Sequence, residues 1–198
     1  MALTDHHDVF IGSTDDGYTF VVLNRRRPGA GRLLTDAGFT ARDHHGRTVY
    51  LLPPGTPQEA HERAGQAMYG LLEHTHDLVD LSWTTRWSPQ GPPPEPDLRV
   101  QFSDGIVTAT AKTAATRSLL EQHGFTPSAD GFSHRPPAGL DERGLLDAVV
   151  GVESHAYAHG LGVRVGLGIP TPAAIPVTAR HATVPTGPAA IPARRHRR

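Results

Sequence analysis

The chain has 198 residues, a formal net charge of −1 and no cysteine. These facts exclude disulfides, thiolate metal sites and thiol catalysis, and they leave the body of the protein without the overall charge of a general polyanion binder. Hydrophobic residues at 37% and charged residues at 20% predict a folded chain of one large or two small domains. The residues up to Asp8 are polar and histidine-rich, unlike a signal peptide, and no apolar stretch approaches a membrane span. A cytoplasmic protein with no membrane partner is the expectation.

In chain order, Val9-Phe10-Ile11 and Tyr18 to Leu23 are rich in β-branched and aromatic residues and flank Asp15-Asp16-Gly17, which predicts a hairpin. A short helix is expected from Gly31 to Ala37, stopped by Gly38, with Phe39 folded back on it. Thr48 to Leu52 reads as a strand ended by Pro53-Pro54. Thr56-Pro57-Gln58-Glu59 has the pattern of a capping box opening a long helix with Ala67, Met68, Leu71 and Leu72 at helical spacing. Leu78 to Trp83 alternates as a closing strand.

The second half repeats this plan. Leu98 to Phe102 and Ile106 to Ala111 flank Asp104-Gly105. A helix from Thr113 ends at Gly124-Phe125, and Phe132 to Arg135 is a short strand before Pro136-Pro137. A helix over Leu140 to His159 and a strand over Val163 to Leu167 complete it. The segment Arg32-Leu33-Leu34-Thr35-Asp36-Ala37-Gly38-Phe39-Thr40 itself returns as Arg117-Ser118-Leu119-Leu120-Glu121-Gln122-His123-Gly124-Phe125-Thr126. The fold expectation is therefore α+β: two tandem β-β-α-β-α-β modules, with mainly antiparallel sheets, helices on one face and a pseudo-twofold arrangement. The first module covers residues 1–83, a proline-rich linker 84–97 and the second module 98–167. Residues 168–198 hold six prolines and end in Arg194-Arg195-His196-Arg197-Arg198, the composition of a disordered tail.

Arginine occurs 18 times, lysine and asparagine once each. With abundant alanine, glycine and proline this is the usage of a GC-rich genome, and the chain resembles tandem-module proteins of actinobacteria. That resemblance implies no particular activity.

Four groups carry candidate chemistry. Arg26, Arg27, Gly29, Gly31 and Arg32 lie between a strand and a helix, where glycines and guanidinium groups suit a phosphate or pyrophosphate. Arg26, Gly29 and Gly31 fit the pattern Arg/Gln-x-x-Gly-x-Gly/Ala, so the loop resembles the acyl-CoA pyrophosphate loop of the GNAT acetyltransferases, and that resemblance implies a small acyl-CoA-dependent transferase. The matching stretch of the second module, Lys112 to Arg117, has neither glycine. His155 and His159 are four apart on one helix and are the candidate pair for a metal, with no third ligand at a recognisable spacing. Glu73 with His74 and Glu153 with His155 offer possible acid–base pairs, each weighed against an ordinary polar helix end. His6-His7 and His44-His45 read as a flexible terminus and a solvated turn. Trp83 and Trp87, with Tyr50 and Tyr69, are a binding surface or boundary packing, and packing is preferred. Arg194, Arg195, Arg197 and Arg198 form a basic end able to tether an acidic partner.

The leading functional expectation is a non-catalytic binding protein, monomeric with pseudo-dimeric modules. Its partner would be nucleic acid or another protein, and no cofactor is predicted. The alternatives are the acyl-CoA-dependent transferase and a structural or partner-binding protein.

Overall fold

In the computed structural model, residues 3–82, 95–103 and 105–178 are described. Strands β1 (Val9–Ser13) and β2 (Thr19–Leu23) pair antiparallel around a turn in which Gly17 takes φ 91°, a left-handed conformation that glycine adopts without a steric cost. Helix α1 (Ala30–Asp36) stops at Gly38, and the Phe39 N–H donates back to the Leu34 carbonyl at 2.9 Å. Strands β3 (Thr40–His44) and β4 (Arg47–Leu52) form a second hairpin through His45 and Gly46, both at positive φ. Helix α2 (Pro57–Leu72) carries the expected capping box: Thr56 Oγ1 accepts the Glu59 N–H and the Glu59 carboxylate accepts the Thr56 N–H. Strand β5 (Leu78–Leu81) returns parallel to β1.

The second half contains β6 (Leu98–Ser103), β7 (Ile106–Ala111), α3 (Ala114–Gln122), β8 (Thr126–Pro127), β9 (Ser133–Arg135), α4 (Glu142–Ala158) and β10 (Val163–Gly166). Thr113 caps α3 through the Thr116 N–H, and Asp141 caps α4 through the Gly144 N–H. The fold is mixed α+β, with two five-stranded sheets ordered β3-β4-β2-β1-β5 and β8-β9-β7-β6-β10. Each sheet is antiparallel except where its last strand runs parallel to its first, β5 on β1 and β10 on β6.

The expected β-β-α-β-α-β order needs correction, because each half has a strand between its first helix and the strand that was expected next. In the first half this is β3, whose Thr-Ala-Arg-Asp-His sequence lies at the sheet edge with its first four residues exposed. An edge strand with no buried face has no hydrophobic alternation to betray it. In the second half it is β8, only two residues long.

The two sheets differ in what covers them. In the first, Val9, Ile11, Val21 and Leu52 face α1 and α2 and are buried with Leu34, Ala67 and Leu71. Its opposite face, carrying Phe10, Phe20, Val22, Val49, Val79 and Leu81, is equally buried and shares one core with the second half. In the second sheet, Leu98, Val100, Val107, Ala109 and Val163 are buried against Leu119, Leu120, Leu146, Val149 and Val152 of α3 and α4, while the alternating residues of β6 face outward. The first sheet thus reads as apolar runs, the second as alternation.

The expected boundary at residue 167 also moves. Residues 168–178 pack on the first half: Ile169 and Ile175 are buried, the Ile169 and Pro170 carbonyls accept the N–H groups of Asp15 and Asp16, and Thr4 donates to the Pro176 carbonyl. Proline and alanine content hid two isoleucines that fill a core. The rest of the expected tail, 179–198, and all but Glu95, Pro96 and Asp97 of the expected linker lie outside the described residues. His6 and His7 are no loose terminus either. His7 is buried, its Nδ1 bonded to Asp77 Oδ1 at 2.8 Å, and His6 Nε2 meets Glu142 at 2.7 Å, stitching the N-terminal segment to α4.

Candidate functional site

The edge strands β5 and β10, the β1–β2 turn and helices α2 and α4 enclose a cavity of about 700 Å³ between the halves. This is in the range of small-molecule sites. Three strand ends meet there: Ser13 closes β1, Asp80 and Ser82 close β5, and Arg164 to Gly166 close β10. Across from them stand Met68 and Tyr69 of α2 and Val150, Glu153, Ser154 and Tyr157 of α4. Tyr69 is 70% and Tyr157 48% exposed, large rings turned toward an open volume.

Asp80 is the most informative group in this cleft. Strand alternation places it on the same face of the sheet as Ile11, its partner on β1. Burial of its carboxyl group pushes the pKa above the usual carboxylate value, against the opposing pull of hydrogen bonds from Ser82. Ser82 donates its N–H at 2.9 Å and its hydroxyl at 2.6 Å to Asp80 Oδ1, and Ser13 donates to the Ser82 carbonyl. Asp80 is half-buried by accessibility, and the buried Glu153 brings a second carboxyl group to the cavity wall. The lining therefore holds Asp15, Asp80 and Glu153 against one guanidinium, that of Arg164.

The arginine loop forms a separate, smaller pocket of about 230 Å³ lined by Arg25, Arg26, Arg27, Gly31, Thr48 and Tyr50. Two of its arginines are committed internally. Arg25 Nε lies 2.9 Å from Asp8 Oδ1, Arg27 bonds Asp8 Oδ2, and the Thr75 hydroxyl reaches the same carboxylate at 3.3 Å. Both glycines have conformational or packing reasons. Gly29 takes φ 85° just ahead of α1, and a side chain at Gly31 would begin 2.5 Å from the Tyr50 hydroxyl. Arg32 is exposed and faces Asp36 at 3.9 Å rather than the pocket. Arg26, Arg27 and Gly31 are thus brought together, while Arg32 is not, and Gly29 lies under the His74 ring instead. Tyr50 packs at this loop and Tyr69 at the cleft, while Trp83 and Trp87 lie outside the described residues, as do Arg194, Arg195, Arg197 and Arg198.

His155 and His159 do meet, with Nε2 atoms 3.0 Å apart, and His123 joins them through a 3.0 Å contact from its Nε2 to His155 Nδ1. The result is a chain of three imidazoles in which His155 meets His123 through Nδ1 and His159 through Nε2. No group of three or more histidine, aspartate or glutamate side chains among the described residues could hold a metal ion. His123, at the C-cap of α3, is held below the usual histidine pKa by burial and by His155. Glu153 lines the cleft, whereas His155 contacts His123 at the end of α3. No spacing rule pointed to His123, which sits 32 residues from its partner. No protein-family model, curated protein or solved structure matches the chain. No helix among the described residues is long and apolar enough to cross a membrane.

Proposed function

We propose that the protein is a non-catalytic binding protein whose ligand occupies the cleft between the halves. The ligand class that the lining favours is a small zwitterionic amine. Asp80 and Glu153 suit an ammonium group, the rings of Tyr69 and Tyr157 add cation–π attraction, Met68 and Val150 accept an apolar body, and Arg164 at the rim suits an anionic end. The observation that carries the reading is Asp80. A carboxyl group kept where burial disfavours its charge costs stability at neutral pH, and groups of this kind concentrate at sites with a use for them. The common strand order supports treating the halves as two copies of one module related by a pseudo-twofold axis, with the ligand held where they meet.

The test is thermal unfolding with a panel of amino acids and dipeptides. At least one should raise the wild-type Tm in a saturable manner. Asp80→Asn should remove that shift while raising the ligand-free Tm at pH 7. The sign follows from the raised folded-state pKa: the neutral form is the favoured one, so the stabilising effect of Asp80 is present at low pH and is lost as pH rises through that pKa. A panel that leaves the wild type unmoved, or a shift that survives Asp80→Asn, contradicts the proposal.

A second reading rests on Arg26, which makes no ion pair among the described residues and lines the smaller pocket beside Tyr50. A compact anion such as phosphate fits there, and the acyl-CoA-dependent transferase is its larger version. Thermal shift with phosphate, CoA and acetyl-CoA, comparing wild type with Arg26→Ala and Gly31→Asp, separates them. A shift with phosphate alone supports the compact anion, a shift with CoA supports the transferase, and no shift removes both.

A further inference from the structure

The open face of the second sheet is the least explained surface of the molecule. Its five strands contain no aspartate or glutamate, and their exposed charges are Arg99 on β6, Arg135 on β9 and Arg164 on β10. The register places Arg164 directly opposite Arg99 across the parallel ladder. Like charges facing each other across neighbouring strands destabilise a sheet unless something relieves them. Neither makes an ion pair among the described residues. Arg135 shares the parity of Ser133, which pairs with Thr110, the partner of Arg99, so all three guanidinium groups belong to one face. With strands about 4.8 Å apart and Arg135 two residues along from the level of Arg99, the two stand about 12 Å apart.

Three carboxylates that adjoin these strands in sequence are engaged elsewhere. Glu95 meets Lys112 at 3.2 Å, and Asp97 accepts the Gly162 N–H at 2.9 Å. Asp130 takes the Ser133 hydroxyl at 2.7 Å and the N–H groups of Phe132 and Ser133 at 2.9 Å each, which hold its pKa down at about 2. Between the arginines lie only hydrogen-bonding side chains, Gln101, Thr108, Thr110 and Ser133. Beside Ser133, Phe132 is 84% exposed, on a backbone that Asp130 fixes. An exposed aromatic ring adjoining a strand that carries an unpaired guanidinium group suits stacked bases and a phosphate backbone.

The geometry points to single-stranded nucleic acid as the partner of this face, with Arg99, Arg135 and Arg164 meeting phosphates and Phe132 stacking a base. Arg164 also lines the cleft, so the test rests on Arg99 and Arg135, which do not. The test is fluorescence anisotropy of a labelled oligothymidylate of about 16 nucleotides, titrated with the full chain over a range of salt. The Arg99→Ala/Arg135→Ala double variant leaves the cleft intact. It should weaken binding at least about tenfold and flatten the plot of log affinity against log salt by about 1.4, at roughly 0.7 per lost phosphate contact. Phe132→Ala should weaken binding without changing that slope, and Asp80→Asn should leave binding unaltered. Circular dichroism confirms that the variants are folded. A chain lacking Arg194 to Arg198 should still respond to the double substitution. Binding indifferent to Arg99 and Arg135, or abolished by loss of the terminal arginines alone, overturns the assignment. Labelled polyglutamate bound as tightly, with the same dependence on Arg99 and Arg135, overturns it in favour of an acidic polypeptide.

Discussion

The two sheets share a strand order but meet different surroundings. The first is buried on both faces, by its own helices on one side and by the shared core and residues 167–178 on the other. The second covers only its helix side. An arginine therefore means different things in the two halves. Arg47 at the start of β4 is buried and bonded to Asp5 and Asn24, and Asp5 also holds Thr178. It ties the N-terminal segment, the sheet and residues 168–178 together. Arg99 is exposed and touches no carboxylate among the described residues. The lesson is that a net charge of −1 is an average over a surface whose arginines are partly neutralised inside the fold and partly left unpaired outside.

The sharpest way to break this distinction is to truncate both arginines. Arg47→Ala should cost about 3–5 kcal/mol in urea unfolding, because it strands buried hydrogen-bonding groups, whereas Arg99→Ala should stay within about 0.5 kcal/mol. Equal losses would mean that the exposed arginine has a structural partner. Next in size, Ile175→Ala should cost about 2–5 kcal/mol, the usual penalty for emptying a packed core position. A loss below 0.5 kcal/mol, on the order of a surface substitution, would show that residues 168–178 are not part of the first half's cover.

Smaller still is the contrast between two strand glycines. A Cβ on Gly12 would lie 2.6 Å from both Leu167 and Phe20, two buried side chains, so Gly12→Ala should cost about 1–3 kcal/mol by overpacking. Gly166→Ala on the open sheet meets only the movable Gln101 amide and should cost less. The smallest effect is a slope. Because the folded-state pKa of His123 is lowered, its contribution is fully present above about pH 6.5 and is lost as pH falls from there through the lowered value. Stability measured from pH 7.5 to pH 5 should fall more steeply in wild type than in His123→Gln, and identical slopes would remove the imidazole chain from the account.

Much of the scaffold was legible because single residues announce it. Gly17 and Gly38 mark left-handed turns, and Thr56 with Glu59 marks a cap whose hydrogen bonds are local. Strand β3 was not legible, because an exposed edge strand is stabilised by its neighbour's backbone rather than by its own apolar residues. The arginine pocket could be read as a loop, yet Asp8, which pairs with two of its guanidinium groups, precedes it by a whole hairpin. Asp80 and Ser82 alternate visibly with Leu81, but nothing local tells that α4 will set Glu153 and Tyr157 across from them. In the same way Arg99 and Arg164 each sit at an outward position of an alternating strand. Only the parallel register of β10 on β6 brings them face to face.

The central claim is that the cleft between the halves, rather than the glycine-arginine loop, is where this protein binds its small ligand. Thermal unfolding of wild type and Asp80→Asn with the amino acid and dipeptide panel tests it most directly. The account predicts a saturable rise in Tm for wild type with at least one zwitterionic amine, absent in Asp80→Asn, whose own ligand-free Tm at pH 7 is higher. A ligand-induced rise of equal size in both proteins, or none in either, would contradict it.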